Sequence, residues 1–292
     1  MLNRIHPIEI VNLIPKRVKT SHKGLCGRLL IIAGSSQYTG AASLMVEAAL
    51  RTGVGIVYAV VTPPTAKVIR HRTPEAVVLE IESFKPSSKY NPIEKIASIC
   101  AEFNINSLGI GPGLGKLADA PNFYLDVFHL IKSHQLKTCV DADALAPLYD
   151  ICLNQKFKPN HMVFTPHPKE FLKMVKQQDL ADVRESVRKA ALDIAQTIVY
   201  KTHESCVFSP FGEAWTCPTG NESLATAGSG DVLAGMISGL MAQGVSVHDA
   251  AKLGVYLHGF TAELVSNKIG VHSLLARDLC DNIARGMKNM GN

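Results

Sequence analysis

Short, continuously apolar runs alternate along this chain with longer stretches in which apolar residues return every three to four positions. Residues 28–33 (Arg28, Leu29, Leu30, Ile31, Ile32, Ala33) end at Gly34 and predict a buried parallel strand. Helical spacing follows over 41–52 and stops at Gly53; the next strand spans 55–61 and is ended by Pro63 and Pro64. Further strands are predicted at 76–81, 107–110, 137–140 and 161–165, with helices at 93–103 and 122–134 between them. A long amphipathic helix over 181–197 carries Asp182, Arg184, Glu185, Arg188 and Lys189 on its polar side. Strands at 198–201, 206–209 and 213–216 come next, the last two joined by a turn at Phe211 and Gly212. Helices at 230–242, 247–265 and 273–287 close the pattern. This alternation predicts an α/β fold with a mostly parallel central sheet and helices on both faces. No repeat, low-complexity segment or long linker interrupts it, so residues 1–292 read as one domain.

Composition narrows the picture. Hydrophobic residues are 47% and charged residues 19% of the chain, enough for a sizeable core and too apolar for disorder. The formal charge of +5 is scattered, without a run of five basic residues, which suits an anionic small molecule and argues against nucleic acid. Seven cysteines, Cys26, Cys100, Cys139, Cys152, Cys206, Cys217 and Cys280, are odd in number and form no C-x-x-C pair. They predict neither a disulfide framework nor a zinc site, and they fit a reducing compartment. Residues 1–15 lack the uninterrupted apolar stretch of a secretory signal, and Glu47 and Arg51 break the apolar stretch at 41–61. A cytoplasmic protein without a membrane span is the expectation.

Candidate chemistry centres on Ala227, Gly228, Ser229, Gly230 and Asp231, which lead straight into an apolar helical run. A helix N-terminus presents unpaired N–H groups and partial positive charge, and glycines let a phosphate approach that backbone. An aspartate there can take the proton of a hydroxyl that attacks phosphorus. The same pattern also describes an aspartate capping a helix after loop glycines. Gly109, Ile110, Gly111, Pro112, Gly113, Leu114 and Gly115 end a predicted strand, where open α/β sheets bind ligands. Thr165, Pro166, His167 and Pro168 follow another strand; each proline holds the residue before it extended, and Pro168 suits the first position of a helix. Asp141 and Asp143 stand two residues apart, on one face if their strand persists, and could hold Mg²⁺ or cap the next helix. The loop from Gly34 to Ala42 is bounded by glycines without the G-x-G-x-x-G spacing of a dinucleotide turn, and Lys201 ends a strand, where it could meet a nucleotide phosphate or be an ordinary surface lysine.

In this order the motifs resemble the ADP/ATP-dependent NAD(P)H-hydrate dehydratase family of the ribokinase-like superfamily. The resemblance runs from about Lys23 to Asn282 and rests on seven segments. They are Gly27 to Ser35; Gly40, Ala41 and Ala42; Pro74 and Glu75; Gly111 to Gly115; Asp141 to Leu145; Thr165 to Glu170; and Asn221 to Gly235. It implies a lyase of metabolite repair, which restores NADH or NADPH from the S form of its hydrate, NADHX or NADPHX. The ring hydroxyl is phosphorylated at the expense of ADP or ATP, and phosphate is then eliminated. By matching positions, Ala41, Gly113, His167 and Asp231 contact the hydrate, with Asp231 as the base. Lys201, Thr202, His203, Glu204, Ser205, Gly228, Ser229 and Gly230 contact the nucleotide, and Mg²⁺ bridges its phosphates. The resemblance also implies a homo-oligomer, tetramer or larger. The epimerase domain often fused in bacterial members is absent, so a separate epimerase is expected. Departures fall at Thr202, where glycine is usual, at Ala227 and Ser229, where Gly and Thr are common, and at Leu224, where Met is usual. A left-handed backbone at 202 or 227 would cost about 1 kcal/mol or more. The alternative is a small-molecule kinase of the hydroxyethylthiazole or pyridoxal kinase type. It shares the glycine–aspartate helix start, but Thr165 to Pro168 and Gly111 to Gly113 speak against it. A non-catalytic nucleotide sensor is a third reading, opposed by the presence of Asp231.

Overall fold

A computed structural model of the chain describes residues 2–85, 90–115, 121–155, 157 and 160–290. The elements in chain order are β1 (Asn3–Arg4), α1 (Pro7–Leu13), β2 (Arg28–Ile32), α2 (Thr39–Arg51), β3 (Ile56–Val61), α3 (Pro63–Arg72) and β4 (Val77–Glu80). Then come α4 (Pro92–Glu102), β5 (Ser107–Ile110), α5 (Pro121–His134), β6 (Lys137–Val140), α6 (Leu145–Gln155), β7 (Met162–Phe164) and α7 (Pro168–Met174). The remainder is α8 (Val183–Ile194), β8 (Thr197–Tyr200), β9 (Cys206–Phe208), β10 (Ala214–Thr216), α9 (Ser229–Ala242), α10 (Val247–Ile269) and α11 (Ala276–Met290). The described strands form one ten-stranded sheet in the order β1-β10-β9-β8-β7-β6-β5-β2-β3-β4. Pairing is parallel except on either side of β9, which runs antiparallel to both β8 and β10.

Each strand sends alternate side chains to opposite faces. Leu30, Ile32, Leu108, Ile110 and Phe164 pack with α4 to α8 on one side. Leu29, Ile31, Val57, Val163 and Val199 pack with α2, α3, α9 and α10 on the other. Burial on both faces explains why these strands read as unbroken apolar runs. Helix α9 lies against α2 with almost no spacing: a Cβ on Gly235 would stand 2.3 Å from the Met45 carbonyl oxygen, and one on Gly239 2.3 Å from Thr52 Oγ1.

Several boundaries differ from the sequence expectation. Pro63 and Pro64 do end β3, but they also open α3, since proline suits the first helical turn. The helix expected through residue 197 ends at Ile194, because Ala195 turns left-handed (φ 53°) and Thr197 already belongs to β8. Strand β6 stops at Val140, so Asp141 and Asp143 do not share a strand face; Asp141 instead precedes a short 3-10 turn over Ala142–Ala144. Short β1 and α1 were not anticipated, because two paired residues and a seven-residue helix are too brief to show a period.

Candidate active site

The loops that follow β2, β5, β6, β7 and β8 gather at one edge of the sheet, beside the N-terminus of α9. This is the carboxyl edge of the parallel strands, where an α/β sheet leaves a crevice. The loop after β5 is pressed against the start of α2. A Cβ on Gly113 (φ +66°) would lie 2.7 Å from Tyr38 Cβ and 3.1 Å from Ala41 Cβ. The Gly34 N–H donates to the Pro112 carbonyl at 2.8 Å, tying the loop after β2 to the same wall. Ala41 and Gly113 are thus brought together.

Lys201, just past β8, organises the floor. Its Nζ is 2.7 Å from Asp141 Oδ1 and 3.8 Å from Glu170 Oε2. A Cβ on Gly230 would stand 3.3 Å from the same Nζ. The Thr165 hydroxyl donates to Asp141 Oδ1 at 2.7 Å, and the Lys201 N–H donates to the Pro166 carbonyl at 3.0 Å. Burial alone would lower the proton affinity of Lys201, but Asp141, Glu170 and Asp231 together raise it, so the ammonium is firmly charged.

His167 caps α7. Its Nδ1 accepts from the N–H groups of Lys169 (3.2 Å) and Glu170 (3.4 Å), while Glu170 Oε2 accepts from the His167 N–H at 2.8 Å. This reciprocal capping fixes the ring, and His167 Nε2 stands 3.5 Å from Glu170 Oε1 with the side chain 47% exposed. Glu170 therefore touches both His167 and Lys201. Neither Glu170 nor Thr165 was singled out for a site role from sequence, although the H-x-x-E spacing of a capping box was there to be read.

Helix α9 begins on Gly228, whose φ of +90° is left-handed and whose added Cβ would meet Leu44 Cδ1 at 2.6 Å. No side chain caps this end. Asp231 lies inside the first turn, so it is not the capping aspartate that the pattern also allowed. Among the described residues, no backbone carbonyl accepts from the N–H of Gly230 or Asp231. Burial first, then Asp141 and Glu170, push the Asp231 carboxyl up to about 7, against a downward pull from Lys201. Neither Thr202 nor Ala227 has positive φ, so these departures carry no backbone strain. The strain falls on Ala142 (φ 48°), beside Asp141.

Thr202 to Ser205 form a closed turn next to Lys201. The Thr202 N–H donates to Ser205 Oγ at 3.3 Å, and that hydroxyl donates to the Thr202 carbonyl at 3.0 Å. His203 is exposed. Glu204 is drawn aside by Arg184 of α8 at 2.7 Å. The Ser229 hydroxyl donates to the Leu224 carbonyl at 2.9 Å, which folds the loop preceding α9. Asp143 Oδ2 accepts from the Gly115 N–H at 2.8 Å, so this carboxylate braces the glycine loop and Asp141 faces Lys201 without it.

The sequence signature described as NAD(P)H-hydrate dehydratase matches residues 29–285, spanning the whole of this crevice. The chain belongs to the NAD(P)H-hydrate dehydratase family. A bifunctional NAD(P)H-hydrate repair enzyme of Moorella thermoacetica is 33% identical over 283 residues, covering 95% of this chain and 52% of its own length. This chain thus spans about half of that relative. An ADP-dependent (S)-NAD(P)H-hydrate dehydratase of Lactococcus lactis is 31% identical, covering 91% of this chain and 87% of its own. The crystal structure of the ADP/ATP-dependent NAD(P)H-hydrate dehydratase of Bacillus subtilis, co-crystallised with ATP and Mg²⁺, overlays with a TM-score of 0.82. It is 28% identical and covers 99% of each chain. The fold of this dehydratase family member is therefore ribokinase-like. Among the described residues no helix is long and apolar enough to cross a membrane.

Proposed function

We propose that this chain dehydrates the S form of hydrated NADH or NADPH at the expense of ADP or ATP. One observation carries the reading within the family. Asp231, its carboxyl pushed up to about 7, stands in the uncapped first turn of α9, one residue from the glycine that adjoins Lys201. The free N–H groups and the Lys201 ammonium offer the terminal phosphates a positive cradle. Asp231 takes the proton of the ring hydroxyl as its oxygen attacks the terminal phosphorus; the new O–P bond forms as the bridging O–P bond breaks. The ring phosphate then leaves with the electrons of its C–O bond, a ring proton is lost, and the double bond of the reduced nicotinamide returns. Ala41, Gly113 and His167 line the hydrate side.

Asp141 and Glu170, both facing Lys201, are oxygen donors suited to Mg²⁺, which commonly takes one or two carboxylates and fills its shell with water and phosphate oxygens. Bound there, Mg²⁺ would offset phosphate charge.

The assay incubates the protein with NADHX, Mg²⁺ and either nucleotide and follows recovery of reduced-nicotinamide absorbance. No recovery with ADP or ATP defeats the reading, and a stable phosphorylated product would return the kinase alternative. An epimerase activity, on this or another polypeptide, would supply the S form. The odd number and wide spacing of the cysteines fit a reducing compartment, in keeping with the cytoplasm. Exposed Ile8, Leu25 and Phe211 offer apolar surface for a homo-oligomer of tetramer size or larger, which light scattering would test.

A further inference from the structure

We propose that Thr165 is a positioning residue for the nucleotide phosphates: its buried hydroxyl fixes Asp141, and Asp141 holds the Lys201 ammonium against Gly230. The role rests on the nucleotide half of the proposed function.

Lys201 carries its charge on a long flexible stem, and a carboxylate rotates freely about its own side-chain bonds. An ion pair between two such groups leaves both free to drift together, unless a third group ties them to the frame. Thr165 is suited to that task. It is 1% exposed, and its oxygen stands 2.7 Å from Asp141 Oδ1 and 3.2 Å from the Val140 carbonyl oxygen. The shorter contact marks the carboxylate as the main acceptor of the hydroxyl proton. Pro166 holds the Thr165 backbone extended, and the branched Cβ restricts the side-chain rotamer. The Thr165 N–H donates to the Val140 carbonyl at 3.0 Å, which pins the residue to the end of β6.

Asp141 has its main chain pinned as well. Its N–H donates to the Ile110 carbonyl at 3.0 Å, and its carbonyl accepts from the Ala144 N–H at 3.2 Å. Only rotation of the carboxylate is left, and the Thr165 hydroxyl removes it. Thr165 and Lys201 both meet the same oxygen, Oδ1. Glu170, at 3.8 Å from the ammonium, is too distant for a hydrogen bond and does not duplicate this hold. The segment that follows β7 thus grips Lys201 at both ends: Pro166 takes its main-chain N–H at 3.0 Å, and Thr165 acts on its ammonium through Asp141. A Cβ on Gly230 would stand 3.3 Å from that ammonium, so the charge is set beside the bare start of α9. Closed off from solvent, Thr165 meets no ligand and acts only through its neighbour.

The test compares Thr165→Val, which keeps the branched shape without a hydroxyl, with Thr165→Ser, which keeps the hydroxyl. Affinity for ADP and ATP is titrated without hydrate, and the dehydratase assay supplies kcat and KM for both substrates. Expected are nucleotide binding on the order of tenfold weaker in Thr165→Val, recovery to within about threefold in Thr165→Ser, and an unchanged KM for the hydrate. Repeating Thr165→Val on a Lys201→Met background should change nucleotide affinity by less than about twofold, because the group being positioned is gone. Wild-type affinity in Thr165→Val overturns the role, as does a Thr165→Ser as weak as the valine variant. An equal loss in both backgrounds overturns it too. If Thr165→Val does not fold, Thr165→Ala takes its place in both backgrounds, with the same outcomes. A wild type that binds nucleotide without dehydrating the hydrate defeats the proposed reaction and leaves this role standing. An active wild type whose Thr165→Val binds nucleotide unchanged defeats the role and leaves the reaction standing.

Discussion

Under the proposed reaction, catalysis and stability pull in opposite directions at Asp231. Its ordinary value of 3.8 is raised to about 7 by burial and by the neighbouring carboxylates, so the native state holds a proton that the unfolded chain has released. Stability contributed at this site therefore falls as pH rises from about 4 to about 7, and above that the native state carries the full cost of the buried charge. Asp231→Asn should melt higher than wild type at pH 8 and close to it below pH 4, which thermal unfolding across that range would show. The same variant should lose roughly 10²- to 10⁴-fold in kcat while still binding nucleotide. With a base poised near 7, kcat/KM should climb about tenfold per pH unit up to that value and then level, since the base must be ionised to accept the hydroxyl proton.

Helices set the position of these groups, and α9 depends most on its neighbour. With Gly235 and Gly239 against α2, the two helices carry the α9 start and Ala41 as one body. Gly235→Val should cost about 1–3 kcal/mol in a denaturant titration and lower nucleotide affinity together with hydrate affinity. The elements that show clearly in sequence are those with room to display a period. Strands β2 and β3 are almost continuous apolar runs, and α9 to α11 repeat their apolar face for several turns. The candidates that the sequence offers sit where chemistry shows in local pattern, as at Gly228, Gly230, Asp231 and His167. Pairings between distant residues left no such trace. The Thr165 hydroxyl on Asp141 and Glu170 beside Lys201 join positions 24 and 31 residues apart. The i, i+2 expectation for Asp141 and Asp143 failed because strand periodicity was carried past Val140, where Ala142 turns the backbone left-handed.

Across the whole molecule, the crevice has two walls from different parts of the chain. One comes from the loops after β2 to β8, the other from the α9 start backed by α10. A ligand that spans both walls ties the two parts together, and only the native fold can bind it. Saturating nucleotide with Mg²⁺ should thus add about 2.7 kcal/mol of stability at a hundredfold excess over Kd and raise the melting point accordingly. Asp231→Asn should show that rise undiminished when followed by dye-based melting at fixed nucleotide.

The sheet also has an outer rim. Asn3 and Arg4 pair with Trp215 and Thr216 of β10, and the Ile5 N–H donates to the Thr216 carbonyl at 3.0 Å. Until those few residues arrive, β10 presents open hydrogen-bonding groups along its free side. An uncovered strand of this kind recruits other chains. Among the described strands, β1 thereby acts as a guard on β10, across a loop of more than two hundred residues that a folding chain is slow to close. Its loss would show as aggregation during refolding well before it showed as a change in chemistry.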